Sequence, residues 1–288
     1  MAEARLKLAT LNTWGRTGPW PARRAAIRAE LARLAPDVVG LQEVWDGDGG
    51  NLADELLADD GTWHVQYARA YELSPGVFCG NAIASRHPIV DRAAWPLPEP
   101  PGDTGRNLVH AVVATPWGRL PVFVTHFSWL FHQSRARLTQ ARHVAARVRE
   151  RAPIQRGDAP TDELPPVVMG DLNAPPDADE LRFLRGLLAA PALPGEPEGD
   201  CYLADCFAIR GTGAGHTFHR SNPFAAREHY PNRRIDYILV RGPDRWHRGE
   251  PLVAQVAFDQ PDDDGVFPSD HFGVYAEVRA TPVTLPPL

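Results

Sequence analysis

The chain has 288 residues, 43% of them hydrophobic, enough to bury a large core in one extended α/β unit. Its 36 acidic residues against 30 basic ones give a formal charge of -6, which removes any general attraction for nucleic acid while leaving room for a local basic patch. Three cysteines, Cys79, Cys201 and Cys206, exclude a disulfide framework and disfavour structural zinc, with one Cys201–Cys206 pair left open.

No run is long and apolar enough to span a membrane, and the opening lacks a signal-peptide core, so a cytoplasmic location is expected, with secretion left open. Nearly all the positive charge is arginine, Lys7 being the sole lysine, which reads as compositional habit.

"RLKLATLN" alternates Leu6, Leu8 and Thr10 in the manner of a strand. "WPARRAAIRAELARLAPD" follows as a helix, with Pro21 near its start, Ile27, Leu31 and Leu34 on one face, and Pro36 as its stop. "VVGLQEVW" is a short buried strand, so the chain opens strand–helix–strand. Further strands are expected at "GNAIASR", "LVHAVVAT" and "LPVFVTHF", then a helix over "SRARLTQARHVAARVRE" carrying Leu138, Val144 and Val148. Residues 152–165 read as a surface loop. "PPVVMGDLN" is another strand, "DADELRFLRGLLAA" a helix with an acidic first turn, and "RRIDYILV" and "FGVYAEVRA" close the pattern.

Polar residues recur at the ends of these strands. Asn12 ends the first, Glu43 ends "VVGLQE", and His126 ends "LPVFVTH". Asp171 and Asn173 follow "PPVVMG", Asp236 sits in "RRIDYILV", and Asp270 and His271 precede the last strand. Taken singly each has an ordinary reading: Asn12 as a cap, "GDLN" as a turn, either histidine as a satisfied core residue, Asp236 as a partner of Arg233 or Arg234. Glu43 is harder to dismiss, because an unpaired carboxylate in an apolar strand costs on the order of several kcal/mol. Layered sheets bring one set of strand ends together, and ligands commonly bind at such an edge. Oxygen donors from Asp, Glu and Asn suit Mg²⁺ or Mn²⁺, and with histidines nearby they suggest phosphoryl-ester hydrolysis.

In their order, "LATLNTWG", "LQEVW", "VTHF", "GDLNAPPDADE", "RRIDYILV" and "SDHFG" resemble the motifs of the endonuclease/exonuclease/phosphatase family, and the match runs through nearly the whole chain. The resemblance implies a four-layer α/β sandwich, with two mixed β-sheets packed face to face and flanked by helices, here as a single domain over residues 1–288. It implies Glu43 as the main metal carboxylate, with Asn12 and Asp270 close to the same ion, Mg²⁺ or Mn²⁺. Asp171 would activate the attacking water and Asn173 would help to hold it or the phosphate. His126 and His271 would clamp the scissile phosphate, with Asp236 fixing the His271 tautomer.

A phosphodiesterase of small esters or lipid headgroups is the favoured reading. A DNase-like or abasic-site endonuclease, a sphingomyelinase-like enzyme and a non-catalytic binding protein are the alternatives. Trp129, Leu130 and Phe131 read more simply as core beneath the following helix; if exposed, Trp129 becomes a substrate wall. The segment "NPFAAREHYPNRR" offers Arg227, His229, Tyr230 and Arg233 as substrate contacts, arginine being suited to forked binding of a second phosphate or a carboxylate. No protein partner is implied.

Overall fold

A computed structural model describes residues 3–57, 61–100, 102–155, 157–189 and 202–283. The first half of the chain contains β1 (Arg5–Asn12), α1 (Trp20–Leu34), β2 (Val38–Gly47), β3 (Gly50–Asn51), α2 (Leu52–Leu57), β4 (His64–Ser74), β5 (Val77–Ser85), β6 (Ile89–Pro96), β7 (Asn107–Thr115) and β8 (Gly118–His126). After a single 3-10 turn come α3 (Ser134–Arg151), β9 (Val167–Asp171), α4 (Asp179–Leu184), β10 (Ala204–Asp205), α5 (Cys206–Arg210), α6 (Pro223–Ala226), β11 (Asp236–Val240), β12 (Pro251–Ala257) and β13 (Gly273–Arg279).

The strands form two mixed sheets. One has the order β12-β13-β1-β2-β5-β4, with β3 attached to β2; the other has the order β10-β11-β9-β8-β7-β6. Each contains one parallel pair, β1 with β2 and β8 with β9, among antiparallel ones. Period-two alternation explains how they stack. Leu6, Leu8, Val122, Val124, Val167, Met169, Ile238 and Val274 fill the space between the sheets. The opposite faces are covered separately: Ala9, Leu11, Val39 and Leu41 pack against Ile27, Leu31 and Leu34 of α1, and Phe123, Val168 and Tyr237 pack against Val144 and Val148 of α3. The result is the expected four-layer sandwich.

The eight strands expected from the sequence are the interior ones, while β4, β6 and β12, which escaped the pattern, lie on sheet edges. The third helix is shorter than expected, ending at Leu184, with Gly186 at φ 71 just beyond it. In α3, Leu138 is only half-buried, and Arg137 takes the buried position through Glu180, with Nε–Oε1 2.6 Å. Cys79 and Cys206 are buried free thiols, while Cys201 lies outside the described residues, so its suggested pairing does too.

Gly170 sits at φ +144, and a Cβ there would lie 1.9 Å from the Thr125 carbonyl oxygen on β8. Only glycine lets β9 approach that closely. Gly213, at φ +74, has open space around its Cβ direction. Gly170→Ala is therefore expected to cost on the order of 3 kcal/mol or more, against about 1 kcal/mol for Gly213→Ala, as read by urea denaturation. Equal losses would refute the close-approach account.

Candidate active site

The row of side chains between the sheets changes from apolar to polar at one rim. On β1 it runs Leu6, Leu8, Thr10, Asn12; on β8 Val122, Val124, His126; on β9 Val167, Met169, Asp171; and on β11, read backwards, Val240, Ile238, Asp236. β1, β8 and β9 end at this rim and β2 runs past it, whereas β11 and β13, antiparallel to their neighbours, begin there. Register places His126 opposite Asp171 and Asp171 opposite Asp236, so three polar side chains sit on adjacent strands.

Glu43 reaches the same place by breaking the rule. Alternation along β2 would turn it with Leu41 toward α1. Instead the pairing of β2 with β5 slips between Leu41 and Val44, and Glu43 takes φ 55, so its carboxylate borders the cavity while Val44 returns to the α1 side. A bulge that re-aims one side chain is a common device beside active sites.

Asp171 is the meeting point. Its Oδ2 accepts from Asn12 Nδ2 at 3.2 Å and lies 3.3 Å from His126 Nε2 and 3.8 Å from His271 Nε2. Its Oδ1 accepts the Asn173 backbone N–H at 2.9 Å. Asn12 Nδ2 also donates to Glu43 Oε1 at 3.0 Å, and the Ser269 hydroxyl donates to the Asn12 carbonyl at 2.7 Å, tying the Asp270 segment to β1. Asn173 Nδ2 donates to the Phe127 carbonyl at 3.1 Å. His271 Nδ1 lies 3.0 Å from Asp236 Oδ2, and the Thr217 hydroxyl receives the Ile235 and Asp236 backbone N–H groups. Asp236 therefore pairs with neither arginine beside it; Arg234 goes to Asp205 at 2.8 Å.

Beneath the rim, the fully buried Arg23 of α1 donates to the carbonyls of Thr13, Thr17 and Pro268, and its guanidinium lies 4.8 Å from the Trp14 ring centre. It joins the loop after β1 to the loop before Asp270.

The protonation states diverge. Burial, with the nearby Arg106 and His271 charges, holds the His126 imidazolium well below its usual range, so His126 is neutral. Burial acts in the same sense on His271, but the carboxylates of Asp236, Asp171 and Asp270 outweigh it and hold His271 well above the usual range. The Asp171 carboxyl is pushed up to about 7 by burial and by Asp236. Asp270 is pushed up to about 6 by burial, with Glu43 adding to the rise.

These groups open into a cavity of about 390 Å³ bordered by Glu43, His126, Asp171, Asn173, Asp270 and His271. Tyr230, Arg233 and Trp129 also border it, whereas Arg227 and His229 are exposed and lie off it. The expectation that Trp129 and Phe131 are core is overturned, since they are 43% and 50% exposed. The reason is Arg137, whose guanidinium occupies the underside of α3 and takes the Ser128 and Leu130 carbonyls, so the two rings turn outward.

Tyr71, Thr104, Arg106, Phe218 and Glu228 border the cavity without having been singled out from the sequence. Arg106 had a legible signal. It immediately precedes β7, an antiparallel strand that starts beside the end of β8, as Asp236 starts β11.

The donor chemistry fits a divalent cation. Asp171, Asp236 and His271 form a cluster able to hold one, with ligand atoms within 4.8 Å of one another. In that cluster, however, His271 Nδ1 and Asp236 Oδ2 already pair, leaving Asp236 Oδ1 as its unpartnered oxygen among the described residues. The carboxylates Glu43 and Asp270 border the cavity without a basic partner in hydrogen-bond contact, and their mutual repulsion contributes to the rise at Asp270. Unneutralised carboxylates with an adjacent amide are a hard-cation donor set, so the Glu43, Asp270 and Asn12 side is the better fit.

Residues 9–271 match the Endonuclease/Exonuclease/phosphatase family, and the chain belongs to that family. An endonuclease/exonuclease/phosphatase from Beutenbergia cavernae DSM 12333 is 28% identical with TM-score 0.66, covering 96% of this chain and 71% of that one. D. rerio TDP2 complexed with single-strand DNA product (20% identity, TM-score 0.70, 96% and 100% covered) and the human Nocturnin catalytic domain with bound sulfate (16%, 0.67, 96% and 96%) share the fold. No curated protein matches the chain. Among the described residues no helix is long and apolar enough to cross a membrane.

Asp171 and Asp270 keep their protons to about 7 and about 6 in the folded chain, against an ordinary 3.8. The ion-free folded state thus binds more protons than the unfolded state between about pH 4 and 7, and these two groups remove stability as pH rises through that window. His271, raised, acts at higher pH: its contribution is full below 6.5 and fades as pH climbs through its folded value. In chelator-treated protein, Asp270→Asn should gain stability relative to wild type as pH rises from about 4 to about 6, and Mg²⁺ should narrow that gap. A pH-independent difference in urea midpoint would contradict the assignment.

Proposed function

We propose that the protein is a divalent-metal-dependent phosphodiesterase of small phosphate esters, working by in-line attack of water on phosphorus. The observation carrying this reading is the Asp171 centre: a carboxylate poised near neutrality, flanked by one neutral and one cationic histidine, in the same cavity as two carboxylates without a salt-bridge partner among the described residues. Residues 1–288 are taken as one catalytic domain.

Asp171 accepts the proton of the attacking water. A carboxyl whose folded value lies near the working pH is well matched to that task. Asn173, its amide oriented by the Phe127 carbonyl, helps to hold the water or the phosphate. His271 keeps its Nδ1 proton on Asp236 and directs Nε2 toward Asp171, placing positive charge where the phosphoryl oxygens gather negative charge. His126, being neutral, offers a ring N–H from the other side without adding charge. Glu43 and Asp270, with the Asn12 amide, would hold Mg²⁺ or Mn²⁺. When bound, such an ion neutralises phosphoryl oxygens and the leaving oxygen.

The cavity volume falls within the roughly 300–1,000 Å³ typical of small-molecule sites. Its charged border sets Glu43, Asp171, Glu228 and Asp270 against Arg106, Arg233 and the cationic His271, without the excess of positive charge that a long nucleic-acid footprint needs. A second reading, action at a single-strand end, draws on the exposed rings of Trp129 and Phe131, which offer stacking faces near the mouth.

The test is a panel of bis-p-nitrophenyl phosphate, p-nitrophenyl phosphate, plasmid DNA, abasic DNA and sphingomyelin. The diester should turn over with Mg²⁺ or Mn²⁺ and stop with chelator. Asp171→Asn and His271→Ala, checked for folding, should lower kcat roughly 100- to 10,000-fold. Turnover of the monoester alone rejects the diester reading, and full activity in Asp171→Asn removes that residue from the mechanism.

A further inference from the structure

Arg233 shares the cavity but takes no part in the chemistry above. Its guanidinium carbon lies 4.5 Å from the Phe131 ring centre and 5.6 Å from those of Phe218 and Tyr230. Phe131 and Tyr230 meet edge-on at 4.9 Å, and Phe218 stands edge-on to the His271 ring at 5.1 Å, so this collar is one ring away from the reacting centre. The backbone is pinned as well: Arg233 N–H donates to the Phe218 carbonyl, and Phe218 N–H returns to the Arg233 carbonyl, both at 2.9 Å.

Among the described residues the Arg233 side chain has no ion-pair or hydrogen-bond partner, and its Nε is buried without one. Asp171 and Asp236 act on it through space without touching it. A guanidinium stays charged in such a setting, and its planar fork matches a carboxylate or a phosphate. Stacking on the rings holds it in place before any ligand arrives. The same rings, left empty, would make an aromatic cage for a quaternary ammonium. Here the cage is already filled by a cation. Arg106, on the same cavity, shares the buried unpartnered Nε but has an ion pair with Asp103 at 3.5 Å and no aromatic collar among the described residues, and Glu228 stands exposed at the rim, where its repulsion is screened.

We propose that Arg233 and its aromatic collar form the specificity subsite of the enzyme, selecting phosphodiesters that carry a second anionic group, carboxylate or phosphate, and rejecting those with a choline-type headgroup. This rests on the phosphodiesterase reading and names its substrate class.

The test uses non-hydrolysable aryl phosphonate monoesters that are identical except for a pendant methyl, carboxylate, phosphonate or trimethylammonium group, titrated calorimetrically into the Mg²⁺-supplied protein. Wild type should bind an anionic pendant about tenfold or more tighter than methyl, and trimethylammonium weakest. The carboxylate and phosphonate arms identify which anion fits. Arg233→Gln should collapse the anion-to-methyl ratio, as should Arg233→Met, which keeps the apolar stem against the collar; Arg233→Lys should recover only part of it.

Loss of affinity by the same factor for every pendant would assign Arg233 to the reacting phosphate and overturn the proposal. Tightest binding of trimethylammonium would overturn it too. The matching p-nitrophenyl diesters separate the two readings. Turnover without pendant preference sinks the subsite alone, whereas a binding preference without turnover of any ester sinks the hydrolase and leaves the subsite standing.

Discussion

The Oδ2 atom of Asp171 is within 3.2 Å of an amide from the first sheet, 3.3 Å of an imidazole from its own sheet, and 3.8 Å of a second imidazole just before β13. A buried carboxylate is tolerable only when such donors surround it, and these donors come from segments more than 250 residues apart in the chain, from Asn12 to His271. The two sheets therefore cannot slide or rotate against each other without breaking the centre. Gly170, which brings β9 against β8, sets the position of that carboxylate.

From this one arrangement the electrostatics follow. Two imidazoles border the same small cavity, yet one is held neutral and the other cationic, because burial, reinforced by Arg106 and His271, prevails at the first, whereas three carboxylates outweigh burial at the second. Environments that push like groups apart in this way assign donor and acceptor roles within a single site. The raised carboxyls of Asp171 and Asp270 register burial first and, beside it, a local excess of negative charge from Asp236 and Glu43. The same excess makes the Glu43 side of the cavity suited to a divalent cation and gives an anionic substrate a reason to find the arginine side.

What the sequence conveyed depends on how many faces of a strand are buried. β13, β1, β2, β5, β11, β9, β8 and β7 are flanked on both sides by other strands and read as apolar or alternating runs. The edge strand β6, "IVDRAAWP", alternates burial with exposure along its length, and β4 carries Gln66, Arg69 and Glu72, so neither stands out from a loop. His126, Asp171 and Asp236 were legible as strand-end polar residues because alternation continues through them. Glu43 was legible by type but not by parity, since a bulge and not the pattern aims it. Arg106 escaped because the entrance to β7 was not weighed as those to β11 and β13 were, although β7 brings its entrance to the same rim. The outward turn of Trp129 and Phe131 depended on Arg137 claiming two carbonyls, a long-range choice no local pattern encodes.

Arg23 donates to carbonyls of residues 13 to 17 and also to that of Pro268. During synthesis the first group leaves the ribosome long before the second exists, so a fully buried cation must wait for its last acceptor. β1 waits likewise, with the edge that pairs with β13 uncovered until residues 273–279 have emerged. Long-range pairing of this kind slows folding and leaves sticky intermediates. The Asp171 centre is thus incomplete until β13 docks and brings His271 to it.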